Sequence, residues 1–465
     1  TEEKEVEIPE TLPKNLFKIP GWFKQLKVFI QRDVLSKLAN SQYMVINLFE
    51  APVLAFLLAF IIKYYNVDVG NQYGYTLMDN CNLPVYLFMS VIVAFFVGLT
   101  VSAEEIIKDR KIQKRESFLN LSWGSYLMSK VVILLVLSAF QALVFVLIGN
   151  TILEIKGMYF QYWLVLFSTW VSANMLGLLI SDSFKTVVTI YILIPFLVIP
   201  QIILSGIIVK YEKLNPNISS PSNIPIYGEV IVARWAYEAL AVNQFKNNAY
   251  QRPFYYFDEA MSISDYKRNY WLRALQNKVS ICERYLNNPV RNSDVEDALN
   301  ILRNEIRREM TGVVASQIPF KYINQLDINS LNEEIIAALN TYFEQLRVYY
   351  VKLYNKSNAK KDSIISTNQR TEAAREKFLD IKRKYSNDAL TEFVKNSNEM
   401  DRIIEYKGNL VQKIDPIYLL PESKFLRAHF YASSKQFFGV FFSTFWVNIV
   451  VIWLSTLALY AALYY

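Results

Sequence analysis

A single histidine, His429, serves the whole 465-residue chain. Imidazole is the commonest metal ligand and the usual general base, so His-based metal sites and His-dependent catalytic constellations are all but excluded. Glycine is scarce as well, with 13 residues, and none opens a phosphate-binding loop of the G-x-x-x-x-G-K-[ST] kind. By that route this polypeptide alone cannot bind and hydrolyse ATP. Its two cysteines, Cys81 and Cys282, lie too far apart in sequence to be paired by inspection, which leaves free thiols and a bridge both open. Between 66 and 83 there is no Lys or Arg. From Thr1 onward no basic, apolar, small-residue signal pattern appears, so targeting is expected from the first membrane run.

What the chain does have is apolar and aromatic residues, 53% and 15% of it, more than an ordinary soluble domain carries. The apolar residues gather into runs at 44–62, 84–102, 126–149, 159–180, 186–208 and 437–462, each close to the ~20 residues that ~30 Å of hydrocarbon requires. Charge is segregated between them: it collects at the N-terminus, at 104–116 and in a long polar stretch at 246–430. The net charge of +7 is modest for this length; it serves orientation and anionic lipid, and is no nucleic-acid signal. Lys108, Arg110, Lys111, Lys114 and Arg115 cluster in the loop after the second run. Membrane proteins keep such clusters inside, so the N-terminus is expected in the cytoplasm and the base-free loop at 66–83 outside.

Taken in order, residues 1–19 read as an acidic, Pro-containing linker, with Glu2, Glu3, Glu5, Glu7 and Glu10 around Pro9 and Pro13. Residues 20–42 read as a connecting helix lying in the membrane interface, because Phe23, Leu26, Ile30, Val34 and Leu38 recur at helical spacing between basic residues. Glu50 is the charged anomaly of the first run, and pairing with Arg32 is its expected use. Pro195 and Pro200 are expected to kink or break the fifth run. Within the insertion, Ser293 with Glu296 and Ser330 with Glu333 read as helix-starting capping boxes. An apolar face follows from Leu331 to Leu353, and further long helices are expected at 362–385 and 388–406. Such stripes usually pack on one another in a hairpin or bundle.

Three stretches carry a family resemblance. The first is Ser102-Ala103-Glu104, a basic helix, Lys114-Arg115-Glu116, and then Ser125-Tyr126-Leu127-Met128-Ser129-Lys130 opening the next run. The second is PQIILSGI at 200–207, and the third ARWAYEAL at 233–240, read as a short interfacial helix. In this order and spacing they resemble the membrane domain of G-subfamily (ABCG-type) ABC transporters, over roughly 20–245 and 435–465. This chain departs from that pattern in having no nucleotide-binding domain and in its large insertion. The resemblance implies that 103–125 is the loop coupled to an ATPase, with Glu104, Lys111, Arg115 and Glu116 as coupling residues. It also places a substrate cavity between the second and fifth spans of two protomers, at Phe95, Phe96, Phe196 and Leu197.

The expected fold is therefore an all-α polytopic membrane protein. It has a linker at 1–19, a connecting helix at 20–42, spans one to five within 43–245, a helical extracytoplasmic insertion at 246–430 and a sixth span within 431–465. The expected function is the permease part of an ATP-driven ABC exporter moving a hydrophobic or amphiphilic substrate such as a lipid. It would work as a homodimer in a plasma or bacterial inner membrane. ATP and Mg would sit on a partner nucleotide-binding domain, encoded upstream or as a separate chain; the chain itself offers no catalytic residue and no metal site. The competing expectation is a membrane-anchored scaffold or receptor whose outer helical domain binds a protein partner, with a channel behind it.

Overall fold

The computed structural model describes residues 19–465 except 69, 117, 118, 120, 222, 289–292, 422 and 424, so the acidic linker lies outside the described residues up to 18. Inside hydrocarbon a backbone must satisfy its own polar groups, and a helix does so locally. Five runs accordingly form helices long and apolar enough to cross a membrane: α2 (Ser41–Ile62), α3 (Leu83–Ser102), α5 (Trp123–Ile152), α6 (Tyr159–Ser183) and α16 (Thr444–Tyr464). The chain is an all-α polytopic membrane protein. The fifth predicted run is α7 (Val187–Ile203), whose 17 residues reach about 26 Å, near the lower limit for a span. Pro195 and Pro200 lie inside it without ending it. It stops at Ile203 rather than at 208 because Gly206, at φ +79°, turns the chain beneath the Tyr211 ring.

At the centre is α6, packed by α3, α5, α9 and α16. The approach of α3 to α6 depends on two glycines. A Cβ on Gly98 would meet the Trp170 carbonyl oxygen at 2.7 Å, and one on Gly177 would meet the Leu99 carbonyl oxygen at 2.9 Å. Beside one end of this bundle lie α1 (Trp22–Ala39) and α4 (Glu105–Glu116). Phe29 of α1 is buried with Ile106, Tyr126 and Leu127, whereas Phe23, Val34 and Leu38 remain exposed, as an interfacial helix requires. Arg32 does not pair with Glu50: its Nη1 donates to both carboxylate oxygens of Glu116, each at 2.9 Å.

At the opposite end, α8 (Ile226–Val230) leads into α9 (Val232–Lys246). The segment expected to lie at an interface is instead buried from Ala233 to Phe245, inserted among α3, α6 and α16. Its alternation of small and large apolar residues fills the bundle, and its charges find partners there.

The insertion is helical with one addition. A π-turn at Lys267–Trp271 joins α10 (Tyr255–Tyr266) to α11 (Leu272–Asn287), and α12 (Ser293–Glu309) follows. Next come α13 (Glu333–Asn368), α14 (Glu372–Tyr385) and α15 (Asp388–Lys395). A separate apolar core forms from α11, α12 and α13, with Leu272, Leu302, Leu339 and Phe343 at its heart. The N-cap of α13 is Asn332, not Ser330, since its Oδ1 accepts from the Ile335 amide. The helix expected over 362–385 is two helices separated at Thr371, whose hydroxyl caps α14. The one expected over 388–406 ends at Lys395 with Asn396 left-handed at φ 50°. Strand β1 (Ile403–Tyr406) then pairs antiparallel with β2 (Asn409–Gln412). The insertion is tied to the loop between α2 and α3 by Asn387, which donates to the Leu77 and Asn80 carbonyls at 2.7 and 2.8 Å.

The last span also begins later than the apolar run. Residues read as its start form an antiparallel hairpin, β3 (Ser434–Phe437) and β4 (Val440–Ser443), turning at Gly439 with φ +90°. Phe, Val and Ser suit a strand as well as a helix, so composition alone does not distinguish them.

Candidate functional site

The basic loop becomes the helix α4, and its first turn is held from two sides. The backbone N–H groups of Ile106 and Ile107 both donate to the Ser181 hydroxyl oxygen at 3.1 Å, so the end of α6 caps the start of α4. Arg110 donates to the carbonyl oxygens of Ser181, at 3.2 Å, and of Asp182. Glu105, in the first turn, also suits the positive end of the helix dipole.

Beneath α4 lies a charge network built around the buried Lys130 and Glu105, with Asp33, Lys37 and Asp109 half-buried. The Lys130 ammonium, 3% exposed, reaches Asp33 Oδ1 at 2.9 Å, Asp109 Oδ2 at 2.9 Å and Glu105 Oε2 at 3.2 Å. Lys37 joins the same carboxylates, at 2.9 Å to Asp33 and 2.6 Å to Glu105. The Tyr126 hydroxyl donates to Asp109 at 3.0 Å. Five charges from α1, α4 and α5 thus meet at one point, Lys130 joining α5 to both α1 and α4 and Lys37 joining α1 to α4. Burial works against the Asp33 carboxylate, but Lys130 and Lys37 outweigh it and hold its pKa below the ordinary 3.8. A displacement of α4 has to carry α1 and α5 with it or strip buried charges of their partners, which is costly. The arrangement ties α4 to α1 and α5 through ion pairs.

Of the four coupling residues read from the sequence, the structure brings none into that network. Glu104 accepts from Lys108 and from the Tyr191 hydroxyl of α7, so it links α4 to the fifth run. Glu116 is held by Arg32. Lys111 and Arg115 stand exposed on the outer face of α4. Lys130 is the signal legible in the sequence: an ammonium about one turn into the apolar run at 126–149 is a functional candidate by default. Asp33, Lys37, Glu105 and Asp109 carry no such mark, because single acids and bases on amphipathic helices are ordinary.

A second buried network lies at the far end of the bundle. Glu238 on α9 accepts from Lys435 of β3 at 2.7 Å and from Asn448 of α16 at 2.9 Å, with Arg234 at 3.8 Å. Arg234 also donates to Glu229 at 2.8 Å. Arg234 and Lys435 lie 3.9 and 4.1 Å from the centroid of the Trp235 ring. Burial pushes the Glu238 carboxyl up, and Lys435 with Arg234 pull it back below its ordinary 4.5, while burial lowers the Lys435 ammonium to about 8.

The candidate substrate residues divide. Phe95 is buried with Leu99, Ile190 and Ile194 in the seam between α3 and α7, and Leu197 packs against that seam. Phe96 and Phe196 point outward and are exposed. Nearer the insertion, a cavity of about 250 Å³ opens beyond the end of α7, lined by Lys210, Tyr211, Phe393, Asn396, Lys413 and Phe430.

With this geometry in place, residues 24–245 match the family described as ABC-2 type transporter. That stretch runs from α1 to α9 and includes α4 with all of its partners. Over this stretch, just under half of the chain, the membrane domain is similar to the ABC-2 type. The chain is similar to ABC transporter G family member STR of Medicago truncatula, 24% identical over 232 residues. The match covers 49% of this chain and 26% of that relative, so this chain spans about a quarter of the relative's length. Within the matched stretch α4 is the helix between the second and third spans, and α9 closes the opposite end of the domain.

Proposed function

We propose that this chain is the permease part of an ATP-driven ABC exporter, moving a hydrophobic or amphiphilic substrate such as a lipid. The observation that carries the reading is the clamped helix α4, whose inner face is locked to α1, α5 and α6 while Lys111 and Arg115 face outward. A nucleotide-binding domain docking on that outer face would move three membrane helices at once, Glu104 adding α7 through Tyr191. ATP and Mg belong to that partner, and two copies of this chain would face each other across α3 and α7. Phe96 and Phe196, exposed on those helices, would then line the substrate path, with Phe95 and Leu197 supporting them. An anchored receptor needs none of these links. Mixing the reconstituted chain with its partner ATPase is expected to stimulate ATP hydrolysis, and more so with an amphiphilic substrate; unchanged hydrolysis would favour the receptor reading.

In this reading α4 lies in the cytoplasm and the insertion outside. Cys81 is exposed in the 66–83 loop, while Cys282 is buried in the insertion core, where burial pushes its thiol up to about 11. An impermeant maleimide is expected to label Cys81 in intact cells and to reach Cys282 only after unfolding. Labelling of Cys81 only after lysis would invert the topology.

A further inference from the structure

The apolar run at 437–443 is not used by the last span, and its exposure is unusual. Phe437, Phe438, Val440, Phe441 and Phe442 are all exposed, Phe438 at 77%. Phe425 joins them through a bridge to Phe437, with ring centroids 4.6 to 6.0 Å apart among Phe425, Phe437 and Phe438. Successive strand side chains leave by opposite faces, so Phe441 and Phe442 point away from each other, yet neither is covered. A ribbon in water buries one face; this one buries neither at its tip.

The surroundings identify the medium. From 436 to 465 there is no charged residue. Lys435, the one charge of the hairpin, points inward to Glu238 and Asn448 and fixes the base of the ribbon to α9 and α16. Trp446, Val450, Leu454 and Leu457 form an exposed stripe along α16 at helical spacing, and the hairpin aromatics continue it past the helix start. The 21 residues of α16 reach about 31 Å, the thickness of the hydrocarbon itself. The hairpin therefore stands just beyond the hydrocarbon, at the headgroup level where aromatic side chains concentrate.

We propose that the β3–β4 hairpin is a lipid-interface anchor, its phenylalanines seated among the headgroups and upper acyl chains of the leaflet on the insertion side. Through Lys435 it fixes the depth of α16 and α9. The proposal requires a membrane protein but not transport. Its test is a spin label at Phe438→Cys in a Cys81→Ser chain, reconstituted in phosphatidylcholine and phosphatidylglycerol vesicles. Phe441→Cys, on the same ribbon, is read in parallel in case one variant fails to fold. Relaxation by oxygen, which partitions into lipid, is expected to exceed several-fold that at a label on Cys81 of the unsubstituted chain, and relaxation by a water-soluble nickel chelate to fall well below it. Nickel relaxation equal to that at Cys81 would put the hairpin in water and overturn the proposal. Exclusion of both relaxants with dipolar coupling between labels would overturn it in favour of contact with a second copy.

Discussion

Lys130→Met is expected to destabilise the membrane domain by ~3–5 kcal/mol, because it removes one partner of a buried ion network and leaves the other charges uncompensated. Asp33, Glu105 and Asp109 would then share Lys37 alone, and Lys37 reaches only the first two. A surface pair is worth only ~0–1 kcal/mol, so the size of the loss separates a network from an orientation signal. The melting temperature of the detergent-solubilised protein reads it directly. The pH dependence has a definite sign. Asp33 titrates below 3.8 when folded, so its contribution is complete above that pH and is lost as pH falls through the lower folded value. In Lys130→Met its largest attractive partner is gone, and burial raises the folded value. The loss is therefore greatest near neutral pH, and stability falls less steeply on acidification than in the wild type. A Lys130→Met protein as stable as wild type at pH 7 would mean that the network carries no load.

Lys435→Met is expected to cost a comparable ~3–5 kcal/mol at the other end of the bundle, since it strands the fully buried Glu238. Glu238→Gln should cost in the same direction by stranding Lys435. The informative variant is the double one. Glu238→Gln with Lys435→Met removes both charges, leaves Asn448 a neutral partner and keeps Arg234 paired to Glu229. It is expected to be more stable than the sum of the singles predicts, by ~0.5–3 kcal/mol, the range of couplings between contacting residues. Strict additivity in thermal or denaturant unfolding would show that the two side chains do not act as a pair. Glu238 titrates below 4.5 when folded and burial lowers Lys435 to about 8, so the coupling is present between these values and is lost as pH falls through the first or rises through the second.

The spans were largely legible because hydrocarbon imposes a local rule. Runs read at 44–62, 84–102, 126–149 and 159–180 became helices Ser41–Ile62, Leu83–Ser102, Trp123–Ile152 and Tyr159–Ser183. Misreadings arose where two structures satisfy the same composition. Residues 437–443 are apolar enough for a span and β-prone enough for a hairpin; a glycine at positive φ and the inward Lys435 favour the hairpin. Residues 233–240 look interfacial because they mix charge with aromatics, yet Arg234 and Glu238 are buried because Glu229 and Lys435 come to them from elsewhere in the chain. The site was the least legible part. Asp33, Glu105 and Lys130 lie up to 97 residues apart and acquire meaning only when three helices bring them within 3.2 Å. The sequence pattern pointed to α4 through the exposed Lys111 and Arg115 and through Glu104 and Glu116, which pair elsewhere, and not to the residues that fasten its inner face.

Transport and stimulated ATP hydrolysis, assayed together in vesicles holding the partner ATPase and Lys111→Ala/Arg115→Ala, test the central claim most directly. Both side chains are exposed, so thermal stability should stay within about 0.5 kcal/mol of wild type. Substrate moved per ATP hydrolysed is predicted to fall sharply, with membrane insertion intact because Lys108, Arg110 and Lys114 remain. Wild-type transport per ATP in this variant would contradict coupling through α4.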